Sequence, residues 1–236
     1  MSAQPSRARL AELARCYALH PRQADQLARL LCVLAREARA PTSIRSPAQA
    51  VDAHVADSLV ALELPLVSGA RTIVDLGSGA GFPGLPLAIA LPRSEVNLLE
   101  SQLRKCQYLE GAIVELALAT AHVVHDRAEE WSAGRGRSDV ALARALAPPA
   151  VVLEYAAPLL RRGGALIDWR GRRSAAEERR AQRAAAQLGM QIQEIRRVTP
   201  FPDARERHLH VYVKVTDTPA RFPRRPGVAR KRPLGR

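Results

Sequence analysis

The chain has 236 residues, enough for one α/β domain with an appendage, and 47% of them are apolar, ample for a core. Its formal net charge of +13 points to a polyanionic partner, although the basic residues are almost all Arg and the chain is rich in Ala. No apolar run approaches the ~18 residues of a membrane span, no signal-peptide pattern is visible, and Cys16, Cys32 and Cys106 are scattered without metal-ligand spacing. A membrane protein, a disulfide scaffold and a metal site are thereby excluded, and a soluble cytoplasmic protein is expected.

In chain order, residues 1–40 read as two helices, from the helical spacing of Leu10, Leu13, Ala14 and Tyr17 and then of Leu27, Leu30, Leu31 and Leu34. Pro41 to Pro47 is a breaker-rich connection. A third helix, Ala48 to Leu64, carries His54 and Asp57 one turn apart on one face, and the residues alone make His54 an ordinary hydrogen-bonded histidine. From Thr72 the pattern alternates. Strands are predicted at Ile73–Leu76, Val96–Leu99, His122–His125, Asp139–Ala143 and Ala165–Trp169, and the helices between them at Gly84–Leu91, Leu103–Leu118 and Ala150–Leu160, the last followed by a turn at Arg162-Gly163-Gly164. A helix at Ser174–Leu188 precedes two strands, Gln191–Thr199 and His208–Val215, with no helix between them, so the last strand is expected to run antiparallel. The fold expected is a seven-stranded Rossmann-like α/β sheet, with a helical extension over 1–70, the sheet domain over 71–216 and a basic Pro/Arg-rich tail over 217–236.

The segment from Thr72 to Gly84 is a strand, a glycine turn and a helix start, the form of a ligand cradle. Gly77, Gly79 and Gly81 allow the backbone to turn sharply and a ligand to approach its amides. Asp75 ends the strand where a carboxylate can reach a cationic or hydroxyl-bearing group over the loop, and Glu100 ends the next strand, where an acid can accept ribose hydroxyl protons. Gly79, Gly81 and Gly84 also satisfy the dinucleotide pattern G-x-G-x-x-G. Asp75 argues against that alternative, since a carboxylate there repels pyrophosphate and favours the positive charges of S-adenosylmethionine. In such a sheet ligands bind outside the carboxyl ends of the strands, which places the glycine loop, Glu100, Ala128-Glu129 and Arg144 at one edge. Glu129 is either a contact for the adenine end of the donor or a solvated acid at a helix start. Arg144 ends the fourth strand, where a cation can hold a donor carboxylate, a phosphate or a base edge.

Taken together, Asp75-Leu76-Gly77-Ser78-Gly79-Ala80-Gly81-Phe82-Pro83-Gly84-Leu85-Pro86, Leu99-Glu100-Ser101, Arg104-Lys105, Ala143-Arg144-Ala145, Pro158-Leu159-Leu160 with Gly163-Gly164, and Phe222-Pro223-Arg224-Arg225-Pro226-Gly227 with Pro233-Leu234 resemble the RsmG (GidB) family. The resemblance implies a class I methyltransferase that uses S-adenosyl-L-methionine to methylate N7 of one guanine, position 527, in 16S ribosomal RNA. It further implies donor contacts at Gly77, Phe82, Ala128, Glu129 and Arg144, with Glu100 near the ribose, and it gives His54 and Asp57-Ser58-Leu59 a place in the family pattern. The chain departs from that pattern at Ala40-Pro41-Thr42, where the family shows Asn-Leu-Thr, and at Arg170-Gly171, where it shows Lys-Gly.

The residue inventory suits N7 as acceptor. Ala147-Pro148-Pro149-Ala150 lacks the Asp/Asn-Pro-Pro-aromatic form that goes with exocyclic amines, and no Cys sits at a strand end to attack a pyrimidine. N7 carries its own lone pair, so no catalytic acid, base or nucleophile is expected, only orienting groups. Substrate contacts are expected from Arg144, from Arg207 and His208 before the last strand, and from Arg224 and Arg225 in the tail, whose Arg and Lys residues are interleaved with Phe222 and prolines. The partner is 16S ribosomal RNA or the small subunit, no membrane is involved, and a monomer is expected. Two other functions remain open: a dinucleotide-dependent oxidoreductase, which accounts for the loop alone, and a ribosome-assembly factor with an idle donor fold, which accounts for the tail.

Overall fold

The computed structural model describes residues 3–37, 42, 44 and 46–235. The departure at Ala40-Pro41, residues 41, 43 and 45 of the Pro41–Pro47 connection and Arg236 lie outside the described residues. Helices α1 (Ala3–Cys16) and α2 (Pro21–Arg36) open the chain. His20 caps α2 as its periodicity suggests: its Nδ1 accepts from Arg22 N at 3.3 Å, and Gln23 Oε1 accepts from His20 N at 2.7 Å.

The predicted third helix is a composite. It runs through α3 (Pro47–Ala50), a π-helical turn over Val51–Ala56, α4 (Asp57–Leu59) and a 3-10 turn over Val60–Glu63 before the short α5 (Pro65–Ser68). The π turn re-aims the side chains that follow it, a device found mostly at functional sites.

Alternation then proceeds as β1 (Thr72–Leu76), α6 (Gly84–Ala90), β2 (Glu95–Glu100), α7 (Leu103–Leu116), β3 (Ala121–His125), β4 (Ser138–Arg144), α8 (Pro149–Ala156), β5 (Leu160–Arg170), α9 (Ala175–Gln187), β6 (Met190–Arg197), β7 (His208–Lys214) and α10 (Val228–Lys231). The sheet order is β3-β2-β1-β4-β5-β7-β6. Strands β1 to β5 pair in parallel, whereas β7 runs antiparallel to both β5 and β6. The chain winds outward from β1 in one direction and returns to β4 on the other side, so the loops after β1 and β4 diverge and leave a crevice.

Both faces of the sheet are covered, which is why its strands read as unbroken apolar runs. On one face Ile73, Leu98 and Ile167 share a core with Leu27, Leu30, Val55, Leu59, Leu85 and Leu109, so α2 joins that core by packing on α6 and α7, which lie over the sheet. On the other, Val74, Ala141 and Leu166 pack with Val152, Ala184, Tyr212, Phe222 and Ala229. The residues expected as a basic tail are therefore folded into the second core. Two predicted boundaries shift for local reasons. Helix α7 stops at Leu116 because Ala117 takes a left-handed φ of 50°. Strand β5 begins at Leu160 and absorbs the predicted turn, since Gly164 runs so close to β4 that a Cβ would lie 2.9 Å from the carbonyl oxygens of Ser138 and Asp139.

Candidate active site

The glycine loop is braced from beneath by acids. Asp75 is 1% exposed, and its Oδ2 accepts from Gly84 N at 3.1 Å, an approach that leaves no space for a Cβ at Gly84, which would stand 2.6 Å from that oxygen. Burial pushes the Asp75 carboxyl up to about 6. The expectation that this carboxylate reaches up to a ligand is corrected: it is turned under the loop and fixes the start of α6. Glu100 works similarly, its Oε2 accepting from Gly79 N at 3.1 Å and its Oε1 from Ser101 N and Gln102 N at 2.9 and 3.0 Å. In the dinucleotide pattern Gly84 would be the third glycine, the one that packs helix on strand, and here its amide is bonded to Asp75, whose carboxylate lies where that fold has none.

Above the loop lies a cleft of about 690 Å³. Gly77, Gly79 and Phe82 form part of it, while Gly81 is buried behind. Arg144, at the end of β4, is held by three groups from the composite helix: Nη1 donates to Asp57 Oδ2 at 3.0 Å and to Ala53 O at 3.2 Å, and Nη2 lies 3.4 Å from His54 Nδ1. Its guanidinium carbon stands 5.7 Å from the centroid of Phe82, on which the His54 ring stacks at 4.6 Å and 19°. Burial first, and the Arg144 charge second, push His54 down to about 4, so the ring is neutral at physiological pH. Since a guanidinium only donates, Nδ1 is the acceptor and Nε2 carries the proton toward Thr42 Oγ1, 2.9 Å away.

Asp57 is the hub of this arrangement. Its carboxylate also faces Arg207 Nε at 3.5 Å, and its backbone carbonyl accepts from Trp169 Nε1 at 2.7 Å. His54, which the residues alone make an ordinary hydrogen-bonded histidine, and Asp57 line the cleft. Their three-residue spacing and their place in the family pattern were the signals in the sequence, and the cation that gives them meaning arrives from β4.

A narrower slot of about 110 Å³ opens at the carboxyl ends of β1, β2 and β3. Leu99, Ala128, Glu129 and Leu146 line it, and Gly77 lines both the slot and the cleft, so the two are neighbours across that residue. Gly77 has a φ of 66°, and a Cβ there would sit 2.6 Å from Leu146 Cδ1. Ala128 and Glu129 therefore line the slot, Phe82 and Arg144 the cleft, and Gly77 both.

The expected substrate contacts separate. Arg207 lines the cleft. His208 does not: it is 8% exposed, with Nδ1 2.9 Å from Gly171 O. Arg224 is turned inward, its Nε and Nη2 donating to Glu154 Oε1 and Oε2 at 2.8 and 2.5 Å, and Glu154 is fully buried. Arg225 is exposed on the tail. Lys105, on α7, and Arg170 also line the cleft, but Arg170 is committed to Asp168 Oδ2 and Ala147 O, each at 2.7 Å. None of the three cysteines lines it; Cys106 donates from Sγ to Glu100 O. Among the described residues no helix is long and apolar enough to cross a membrane.

Comparison with known proteins agrees with this geometry. The family model described as rRNA small subunit methyltransferase G, GidB, matches residues 22–209. The chain is 38% identical over 196 residues to the ribosomal RNA small subunit methyltransferase G of Desulfitobacterium hafniense strain Y51, covering 82% of this chain and 81% of that one. It is 39% identical over 199 residues to the protein of the same name from Synechococcus elongatus, covering 82% of each. Among solved structures, an S-adenosylmethionine-dependent methyltransferase from Aquifex aeolicus superposes with a TM-score of 0.56 at 15% identity, over 71% of this chain and 93% of that one. Aeropyrum pernix fibrillarin, solved with natively bound S-adenosyl-L-methionine, gives 0.53 at 20% identity over 67% and 73%. At those identities the structural likeness establishes the fold, a class I methyltransferase sheet. On the strength of the sequence matches, this chain belongs to the rRNA small subunit methyltransferase G family.

Proposed function

We propose that this protein uses S-adenosyl-L-methionine to methylate N7 of a single guanine in 16S ribosomal RNA, at position 527, acting as a monomer in the bacterial cytoplasm on the small subunit or its RNA. The observation that carries the reading is the adjacency of slot and cleft at Gly77: a space of nucleobase size on one side, and on the other a larger cleft walled by the cations Arg144, Arg207 and Lys105.

The donor fits the residues present. Glu129 lies in the slot to accept from an adenine amino group, Glu100 borders the glycine loop where a ribose would rest, and the positive φ at Gly77 lets the backbone pass beneath without a side chain in the way. When bound, S-adenosylmethionine supplies an electrophilic methyl group that a ring nitrogen with a free lone pair can accept without prior deprotonation.

The protein's own task is then orientation. Guanine O6 is an acceptor on the same edge as N7, so a guanidinium can hold O6 while the N7 lone pair stays free for the methyl group. Arg144 stands at the mouth of β4 with its plane fixed by Asp57, Ala53 O and His54, so its outward N–H groups are presented without a search through rotamers. His54 supports this best when neutral, because protonation would turn its Nδ1 from acceptor to donor and push Arg144 away. Arg207 is 43% exposed and free to take a phosphate of the RNA backbone.

The test is methyl transfer from labelled S-adenosylmethionine to small subunits that lack the modification, with mapping of the labelled base. Label at N7 of one guanine is the expected result. Label on an exocyclic amine or on a pyrimidine, or none at all, would overturn the assignment.

A further inference from the structure

The family match ends at residue 209, yet the chain past β7 folds back to the edge of the sheet that holds the slot. Three anchors hold this return: Phe222 is 6% exposed in the second core, Arg224 is clamped on buried Glu154, and Ala229 is 1% exposed. They deliver α10 to the slot. There Gly227 N donates to Glu129 Oε1 at 3.1 Å, and Arg230 Nη2 donates to Leu146 O at 3.2 Å. Gly227 and Arg230 accordingly line the slot together with Leu99 and Ala128.

We infer that residues 227–230 are part of the methyl-donor site, with Arg230 a binding residue for the donor's adenine. The inference rests on the reading of the slot as the place of that base. Its chemistry is that of a flat heterocycle: apolar walls from Leu99 and Leu146, a carboxylate at Glu129 whose orientation is set by the Gly227 amide, and a planar guanidinium that stacks on aromatic faces. The segment that composition marks as an arm for RNA thus serves the small molecule at this point: Arg224 is turned inward, and Arg230, though exposed like Lys231 and Arg232, is tied to Leu146 O at the slot.

Charge supplies a clean discriminator. S-adenosylmethionine carries a net positive charge, so removal of a nearby cation would by Coulomb's law tighten its binding. A loss of affinity therefore reports a lost contact. In the full chain, Arg230→Ala is compared with Lys231→Ala, an equal change of charge one residue away and outside the slot. Dissociation constants for S-adenosylmethionine and for its demethylated product S-adenosylhomocysteine are measured by calorimetry, and affinity for a 16S ribosomal RNA fragment is measured in parallel.

Arg230→Ala is expected to weaken both nucleosides about tenfold, S-adenosylmethionine slightly less than its uncharged product because loss of a cation favours the sulfonium, since they share the adenosine half and differ at the sulfur. RNA affinity should stay within about twofold of the wild type, and Lys231→Ala should leave nucleoside binding unchanged. A wild-type melting temperature for Arg230→Ala separates the effect from misfolding, and Arg230→Lys, which keeps the charge and loses the plane, should restore binding only in part. The inference is overturned if Arg230→Ala binds both nucleosides as the wild type does, if Lys231→Ala weakens them equally, or if only RNA affinity falls. Failure of the wild type to bind S-adenosylmethionine would instead sink the reading of the slot, and this inference with it.

Discussion

Asp57 sits between two arginines, with Arg144 at 3.0 Å from one oxygen and Arg207 at 3.5 Å from the other. Its replacement by Asn keeps the shape and removes the charge. Because Trp169 is bonded to the backbone carbonyl, the fold should survive. The expected outcome for Asp57→Asn is a fall in single-turnover methylation of about tenfold to a hundredfold, with little change in melting temperature, and wild-type turnover would show that Arg144 needs no such holder. That role was hidden in the sequence because Arg144 lies 90 residues from His54, and a His–Asp pair on a helix looks the same whether or not a cation comes to meet it. Asp75 shows the opposite error. A carboxylate at a strand end beside a glycine loop is the usual sign of a ligand contact, but here Gly84 offers an amide and no Cβ, so the side chain bends under the loop.

At the scale of elements, the parallel strands were legible because burial on both faces demands apolar runs and glycines end them abruptly. Their partners across the sheet were also legible from the missing helix between β6 and β7, which forces the antiparallel return seen in the register of β5 with β7. What composition obscured was the segment after β7. Its charge is conspicuous, whereas the anchors are one aromatic, one alanine and one acid far away on α8. Glu154 on that helix is fully buried and relies on Arg224 for compensation. Arg224→Ala is therefore expected to lower unfolding free energy in urea by about 3–5 kcal/mol, and a second change, Glu154→Leu, should recover much of the loss. A variant of normal stability with impaired RNA binding would return Arg224 to the role its composition suggested.

For the molecule as a whole, the charge of +13 is unevenly spent: Arg144, Arg170 and Arg224 are engaged internally, which leaves Arg207 and Lys105 at the cleft and Arg225, Lys231 and Arg232 on the tail surface to meet phosphate. If about four backbone phosphates are neutralised, a log–log plot of RNA affinity against salt should have a slope of about −3. A flat titration would mean that recognition rests on base contacts alone.

The direction of β7 has one more consequence. Because that strand runs against its neighbours, Arg207 enters the cleft only after six other strands are in place, and Gly227 and Arg230 reach their slot later still. Translation proceeds in the same order, so a nascent polypeptide still threaded through its ribosome is without these groups at the very moment when ribosomal RNA surrounds it. Competence toward RNA is deferred until the segment through Arg230 has emerged and folded back.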